Sequence, residues 1–542
     1  MNQDSPESKP DSAKQKAPGL LRSTAVVSSM TLLSRVLGLV RDVVFARFFG
    51  AGLVMDAFFV AFKIPNIFRR FFAEGAFSQS FVPVFAEYDE KRSREEVKEL
   101  VDRVSGTLGL ILFVFTAVGV IAAPVLISIA GMGWLLNPQA DSAAKFDLAV
   151  EMLRYTFPYL LFISLTALAG AVLNTYQRFA AAAFVPVLLN LVLIGSAAFV
   201  APEFEQPGIV LAAGVFVAGL VQLLFMLPSL AKVRMLPRPK WGLSHEGVRR
   251  IAKLMLPAIF GSSVAQINIL FDTLLASFLV TGSISWLYYS DRLMEFPLGV
   301  FGIALATVML PNLSRAYANQ SHKNFSTMLD WALRMVLLIA APAAVGLFML
   351  AAPALTTIFY GGRFGAADVS MASMSLMAYS FGLLGFTLVK VLVPGYFSRQ
   401  DTKTPVRIGI IALLTNMVLN VVIVVPWYRV ELVGPHAGLA IATSISAFIN
   451  AGLLYRGLRR KGVLVHSAGW GRFLIRVVLA CAVMAMLLNY FVPPAVVWLE
   501  ASFWQTCYWL VAAVLGGAVA YLGVLFATGI RPAELRLKPP VA

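Results

Sequence analysis

Long apolar runs separated by short charged breaks set the pattern of this chain. Read against those breaks, the runs predict helices near 24–50, 53–85, 102–133, 147–174, 180–201, 208–231 and 247–281. They continue near 284–315, 326–357, 367–398, 405–428, 437–458, 469–493 and 502–529. Each run is about 20 residues or longer, enough for a helix to cross a hydrocarbon core about 30 Å thick. The apolar residues are continuous and do not alternate with period two, which excludes a transmembrane β-barrel. The expectation is an all-α integral membrane protein with fourteen transmembrane helices, an even number that leaves both termini on one side.

The basic residues test that topology. Alternate loops hold Lys91, Arg92, Arg94, Lys98 and Arg103, then Arg178, then Lys232 to Lys253, and later Arg315, Arg399, Arg407 and Arg456 to Arg476. The opposite loops offer Lys145, Arg363 and Arg429. Such asymmetry predicts that the basic side and both tails face the cytoplasm of a bacterial inner membrane. The polar stretch 1–23 lacks the apolar segment of a cleaved signal peptide and reads as a cytoplasmic tail, as does 530–542.

The chain also echoes itself. Val82-Pro83-Val84 and Leu310-Pro311-Asn312 stand 228 positions apart (311 − 83), and Ile121-Ala-Ala-Pro124 returns as Leu350-Ala-Ala-Pro353, 229 apart (353 − 124). Echoes separated by six spans keep the same orientation. They predict a parallel repeat: an N-lobe at 24–231, a C-lobe at 247–458 and an extra helix pair at 469–529, with a site between the lobes.

Composition supports the membrane assignment. Of 542 residues, 59% are hydrophobic and 13% charged, with a mean hydropathy of +0.79. A soluble domain carries about 25% charged residues. The net charge of +16 follows from the loop asymmetry and gives no ground for nucleic-acid binding. Cys481 and Cys507 lie inside apolar runs and read as small hydrophobes. The sequence has no phosphate-loop motif, HExxH pair or GxSxG elbow. No cofactor, catalytic residue or metal site is therefore expected, and transport would draw on the membrane potential or on an ion gradient.

The chemistry sits where charge is expensive. The first span carries Arg35, Arg41 and Asp42, with Arg35 and Asp42 seven apart on one stripe. In the second, Asp56, Lys63, Arg70 and Glu74 share a stripe if the helix is regular, with Asn66 at its edge. Pro65 leaves open whether Arg69 or Arg70 faces inward. The eighth span supplies Asp291, Arg292 and Glu295. A charge at mid-bilayer costs about 2.5–3.5 kcal/mol, so ten facing lipid would cost on the order of 30 kcal/mol. These groups must face one another. One reading is internal salt bridges that glue helices together. The other is an anion-binding cavity, favoured by the excess of cations over carboxylates and by the fit of guanidinium to phosphate oxygens. Arg47, Arg334 and Lys390 sit nearer span ends and read as snorkelling side chains.

The segments SSMTLLSRVLGLVRD, MDAFFVAFKIPNIFRRFFAEGAFSQSFVPVFAEY, SISWLYYSDRLMEFPLGVFGIALATVMLP and KVLVPGYFSRQDTKTP resemble the MurJ (MviN) family along nearly its whole length. The resemblance implies a fold of the multidrug/oligosaccharidyl-lipid/polysaccharide exporter type, with the last two spans forming a groove for a lipid tail. It implies lipid II, an undecaprenyl-pyrophosphate-linked disaccharide-peptide, as substrate, flipped by alternating access. By motif, the family's cavity arginines fall on Arg35, Arg41, Arg69 and Arg292, and its acidic residues on Asp42, Asp56, Glu74 and Asp291. Asn66 and Ser78 match polar positions of the same motifs. Expected partners are lipid II, membrane lipids and proteins of cell-wall synthesis or division, around a monomer. The alternatives are a flippase for another polyprenyl-linked glycan, a drug or ion antiporter of the same superfamily, or a membrane glycosyltransferase. The arginine excess argues against an antiporter and the short outer loops against an enzyme.

Overall fold

The computed structural model describes residues 20–136 and 141–531; the expected tails lie largely or wholly outside the described residues. The first half is built from α1 (Leu20–Phe49), α2 (Leu53–Arg69), a π-helical turn at Arg70–Glu74, α3 (Ala76–Lys91), α4 (Arg94–Ile121), α5 (Ala123–Ala130) and α6 (Met132–Leu136). It continues with α7 (Ser142–Thr156), α8 (Tyr159–Thr175), α9 (Phe179–Gly195) and α10 (Pro207–Lys232). The second half holds α11 (Glu246–Ala276), α12 (Ser283–Pro297), a π turn at Leu298–Gly302, α13 (Ile303–Ala318), α14 (His322–Met349), α15 (Ala351–Phe359), α16 (Ala366–Phe397), α17 (Lys403–Arg429) and α18 (His436–Arg460). Then come α19 (Trp470–Phe491), α20 (Ala495–Glu500) and α21 (Phe503–Ala527).

Among the described residues, ten helices are long and apolar enough to cross a membrane. They stand where ten of the fourteen runs were expected. The other four expected spans, 24–50, 53–85, 247–281 and 284–315, are also helical. Of these four, α1 carries Arg35, Arg41 and Asp42, α11 starts in a charged segment, and the second and eighth spans each contain a π turn.

Several runs expected to be single helices are pairs. The run 102–133 breaks at Ala122, one residue into the segment before Pro124; 147–174 breaks at Phe157–Pro158; and 326–357 breaks at Leu350, ahead of Pro353. Proline lacks the N–H that would continue the hydrogen-bond ladder and clashes with the preceding turn. The breaks at Ala122 (φ −82°, ψ 8°) and Leu350 (φ −101°, ψ 17°) have nearly the same backbone geometry and fall on the two echo motifs. The π turns stand 228 positions apart as well (298 − 70), each followed by a helix with an internal proline, Pro83 or Pro311.

Packing follows the two halves of the chain. In the first, α1 packs on α9, α2 on α7, and α10 on α7, α8 and α9; in the second, α16 packs on α14 and α18, and α17 on α18. Helices α19 and α21 pack together and against α14 and α15. Buried Asp330 of α14 ties down the α18–α19 connector, accepting hydrogen bonds from His466, Ser467 and Trp470. Tyr521 of α21 donates to the Leu338 carbonyl at 2.8 Å.

Candidate functional site: a charged cavity between the halves

The halves meet where α3 packs on α11, with Arg250 paired to Glu87 at 2.8 Å, and at a seal made by the α1–α2 turn, the start of α12 and the α15–α16 turn. Helix α12 begins at Gly282, which has no side chain to cap it. The cap comes from α2: Asp56 Oδ2 accepts the Gly282 N–H at 2.7 Å, and Oδ1 accepts the Ser285 N–H at 2.9 Å and its hydroxyl at 2.6 Å. A carboxylate suits this place because the first N–H groups of a helix are unpaired and carry partial positive charge. Around it, Lys145 donates to Thr281 at 2.9 Å, the Arg363 N–H to the Arg47 carbonyl at 2.9 Å, and the Tyr289 hydroxyl to the Gly50 carbonyl at 3.3 Å. This end is opposite the basic loops.

Beyond that seal lies a cavity of about 1000 Å³. Its walls hold six basic side chains (Arg41, Lys63, Arg69, Arg70, Arg292 and Lys390) and three acidic ones (Asp272, Asp291 and Glu295), beside Phe59, Phe62, Tyr288, Tyr379 and Phe386. The excess of positive charge within low-dielectric walls focuses a field attractive to anions.

The centre of the charge is a linked set. Asp42 is fully buried. Its Oδ1 accepts from Arg41 Nε at 3.0 Å, Arg41 Nη2 at 2.7 Å and the Tyr288 hydroxyl at 3.0 Å; its Oδ2 accepts from Arg292 Nε at 2.8 Å. Arg41 also donates from Nη1 to Asn190 at 3.2 Å and from Nη2 to Tyr288 at 2.9 Å. Arg41 and Asp42 belong to α1 and Arg292 to α12, so one carboxylate joins the two halves. Deeper along α2, Lys63 donates to Thr273 at 2.9 Å, and Arg69 Nε to Asn66 at 3.1 Å.

The cavity thus gathers Arg41, Lys63, Asn66, Arg69, Arg70, Asp291 and Arg292 from among the residues singled out in the sequence, with Asp42 directly behind its wall. The choice between Arg69 and Arg70 dissolves, because both line it. The other residues singled out stand elsewhere or lie outside the described side chains. Asp56 precedes Lys63 by about two turns of the same α-helix, but it stands at the sealed end, where it caps α12, and the regular stripe drawn through these two residues stops at the π turn. Arg35 is exposed at the crossing of α1 with the π turn after α12. Ser78 donates to the Ala73 carbonyl at 3.2 Å, a bond within its own segment, away from the lining. Glu74 has its backbone in the π turn, and its side chain lies outside the described residues. Lys390 lines the cavity where a snorkelling role was expected, because α16 turns that face inward rather than to the bilayer edge.

The sequence reading missed a polar cluster on α11 and α17. Asp272 accepts from Asn420 at 2.6 Å, Asn416 at 3.2 Å and Asn268 at 3.1 Å, and Asn416 also donates to Asn268 at 2.8 Å. The available signal was an aspartate inside the run INILFDTLLA and two asparagines four apart in LLTNMVLNVV, which share a helix face. It missed Tyr288 and Asn190 as well, since lone polar residues of that kind are common in membrane helices. Among the described residues, no three His, Cys, Asp or Glu side chains gather in the manner a metal ion needs.

The fold and the site together define a helical membrane protein with a charged cavity between the two halves of its chain. A solved multidrug resistance MATE family transporter in an inward-facing conformation is similar in fold, with a TM-score of 0.63 over 81% of this chain and 98% of its own at 15% identity. The family model described as lipid II flippase MurJ matches residues 45–515, and the chain belongs to that family. It is 50% identical to a probable lipid II flippase MurJ of Vibrio cholerae over 95% of this chain and 98% of the relative. It is 44% identical to the lipid II flippase MurJ of Burkholderia cenocepacia, over 87% and 90% respectively. A solved lipid II flippase MurJ in an inward closed conformation is similar with a TM-score of 0.76 at 26% identity, covering 92% of this chain and 98% of that one.

Proposed function

We propose that this chain flips lipid II from the inner to the outer leaflet of the bacterial inner membrane by alternating access, its arginines holding the pyrophosphate. The observation that carries the reading is the set of guanidinium groups, Arg41, Arg69, Arg70 and Arg292, around one cavity with fewer carboxylates than cations. Family membership supports lipid II over other lipid-linked glycans and a transporter over an enzyme. The reading includes fourteen spans with the basic loops and both tails in the cytoplasm. It also includes two six-helix lobes related by the parallel repeat, and the α19–α21 pair as the groove for the lipid tail.

Asp42 suggests how the substrate changes the protein. It is the resident counter-charge of Arg41 and Arg292, and an incoming pyrophosphate offers those same donors more oxygens and more charge. Arg292 turning from Asp42 to phosphate would release the bond that joins α1 to α12. Opening the far end requires Asp56 to leave the start of α12, so the two carboxylates act at opposite ends of one rocking motion. Release follows as the arginines regain their protein partners. No cofactor enters this scheme. The drive is the membrane potential, worth about 2.3 kcal/mol per charge per 100 mV, or an ion gradient.

The test replaces the chromosomal copy with Arg292→Gln and adds a toxin that cleaves lipid II from outside. Cleavage product is expected to disappear while lipid II accumulates in cells and the protein still inserts. Normal growth and normal cleavage would overturn the reading.

A further inference from the structure

Two glycines stand where two arginines, Arg292 of the cavity and Arg35 outside its lining, cross between the halves. A Cβ placed on Gly38 of α1 would lie 2.6 Å from Nη2 of Arg292, which reaches over from α12. A Cβ on Gly299, in the π turn after α12, would lie 2.1 Å from Nη1 of Arg35, which reaches over from α1. The arrangement is reciprocal: each half presents a bare stretch of backbone to the guanidinium of the other. Both distances are far below van der Waals contact, so neither arginine could keep its place over an alanine.

We propose that Gly38 is a positioning residue of the anion site, leaving room for Arg292 to lie across the boundary between the halves, and that Gly299 does the same for Arg35 at the neighbouring crossing outside the cavity lining. The inference rests on the reading of the cavity as an anion site and adds what sets the arginines in place. At Gly38 the consequence is specific. Arg292 holds Asp42 through Nε at 2.8 Å, and a methyl group pressing on the same guanidinium must swing Nε away. The obstacle is the far end of a flexible side chain and not backbone, so the helix tolerates the methyl group and the arginine moves instead. Alanine is also the better helix former. Small residues at a helix crossing are ordinarily explained by close backbone approach. Here the group that fills the space at each glycine is a charged side chain.

The experiment compares Gly38→Ala, Gly299→Ala, Arg292→Gln and the double variant Gly38→Ala/Arg292→Lys. Each is tested in cells for arrival of lipid II at the outer leaflet, read by external toxin cleavage, and in detergent for amount and melting temperature. Losing one charged hydrogen bond corresponds to about a ten- to hundred-fold fall in transport. That fall is expected for Gly38→Ala at undiminished amount and melting temperature. Lysine ends short of the Nη position, so the double variant is expected to transport faster than Gly38→Ala alone. A purely structural glycine would give no such recovery. Wild-type transport by both glycine variants overturns the inference, and so does a double variant no better than the single one. If Gly38→Ala fails to accumulate, the local argument at that site is wrong and Gly299→Ala decides the rest. Normal transport by Arg292→Gln would instead overturn the anion site itself.

Discussion

Tyr288→Phe removes one oxygen from the centre of the cavity and little else. That oxygen accepts from Arg41 at 2.9 Å and donates to Asp42 at 3.0 Å. Hydrogen bonds to charged groups are worth about 1.5–3 kcal/mol each, so the ceiling for two is about 3–6 kcal/mol. Most of that is not realised. Arg41 retains both bonds to Asp42 and one to Asn190, Asp42 retains Arg292, and water from the cavity can replace the hydroxyl. A loss of about 1–2 kcal/mol remains, a factor of about 5–30. The ring itself stays, stacked on Phe59 with centroids 3.9 Å apart, so the protein folds. Lipid II arrival at the outer leaflet, measured by external toxin cleavage at matched protein levels, is expected to fall by that factor. Tyr288→Ala, which also loses the stack, is expected to be lower in both transport and melting temperature. If Tyr288→Phe transports within about two-fold of the parent, less than about 0.5 kcal/mol, the hydroxyl does not hold Arg41 and the account of the linked set is wrong.

Other outcomes follow from the sealed end and the loops. Asp56→Ala strips the start of α12 of its cap, a loss of about 0.5–2 kcal/mol for an ordinary cap. A cysteine placed at buried Ser283 is expected to react faster with an impermeant thiol reagent applied from the side opposite the basic loops, and an unchanged rate would refute the seal. In the α16–α17 loop, desolvation raises the Asp401 carboxyl, but donors from Lys461 and Thr404 outweigh it and hold its pKa at about 2. A depressed carboxyl stabilises the fold above its unfolded value of about 3.9, and the contribution is lost as pH falls toward 2. The melting temperature of the purified protein is expected to drop across that window, and the drop should shrink in Asp401→Asn. Equal slopes in the two proteins would dismiss the clip.

The amino-acid sequence by itself determined the solvent and the outline. Apolar runs of bilayer length are suited to crossing lipid, and charges at the middle of them are driven to face inward. That much was legible for Arg41, Asp42, Lys63, Arg69, Arg70, Asp291 and Arg292. The tertiary structure decided what periodicity could not. A stripe drawn at 100° per residue assumes an unbroken helix, and the π turns at Arg70–Glu74 and Leu298–Gly302 add a residue to the turn and rotate everything after them. Asp56 shows the other limit: its place is fixed by the unpaired N–H groups of a helix more than 220 residues away, a demand that no local pattern records. Hydrophobicity reports whether a side chain must leave the lipid; which neighbour then receives it depends on how the helices are brought together.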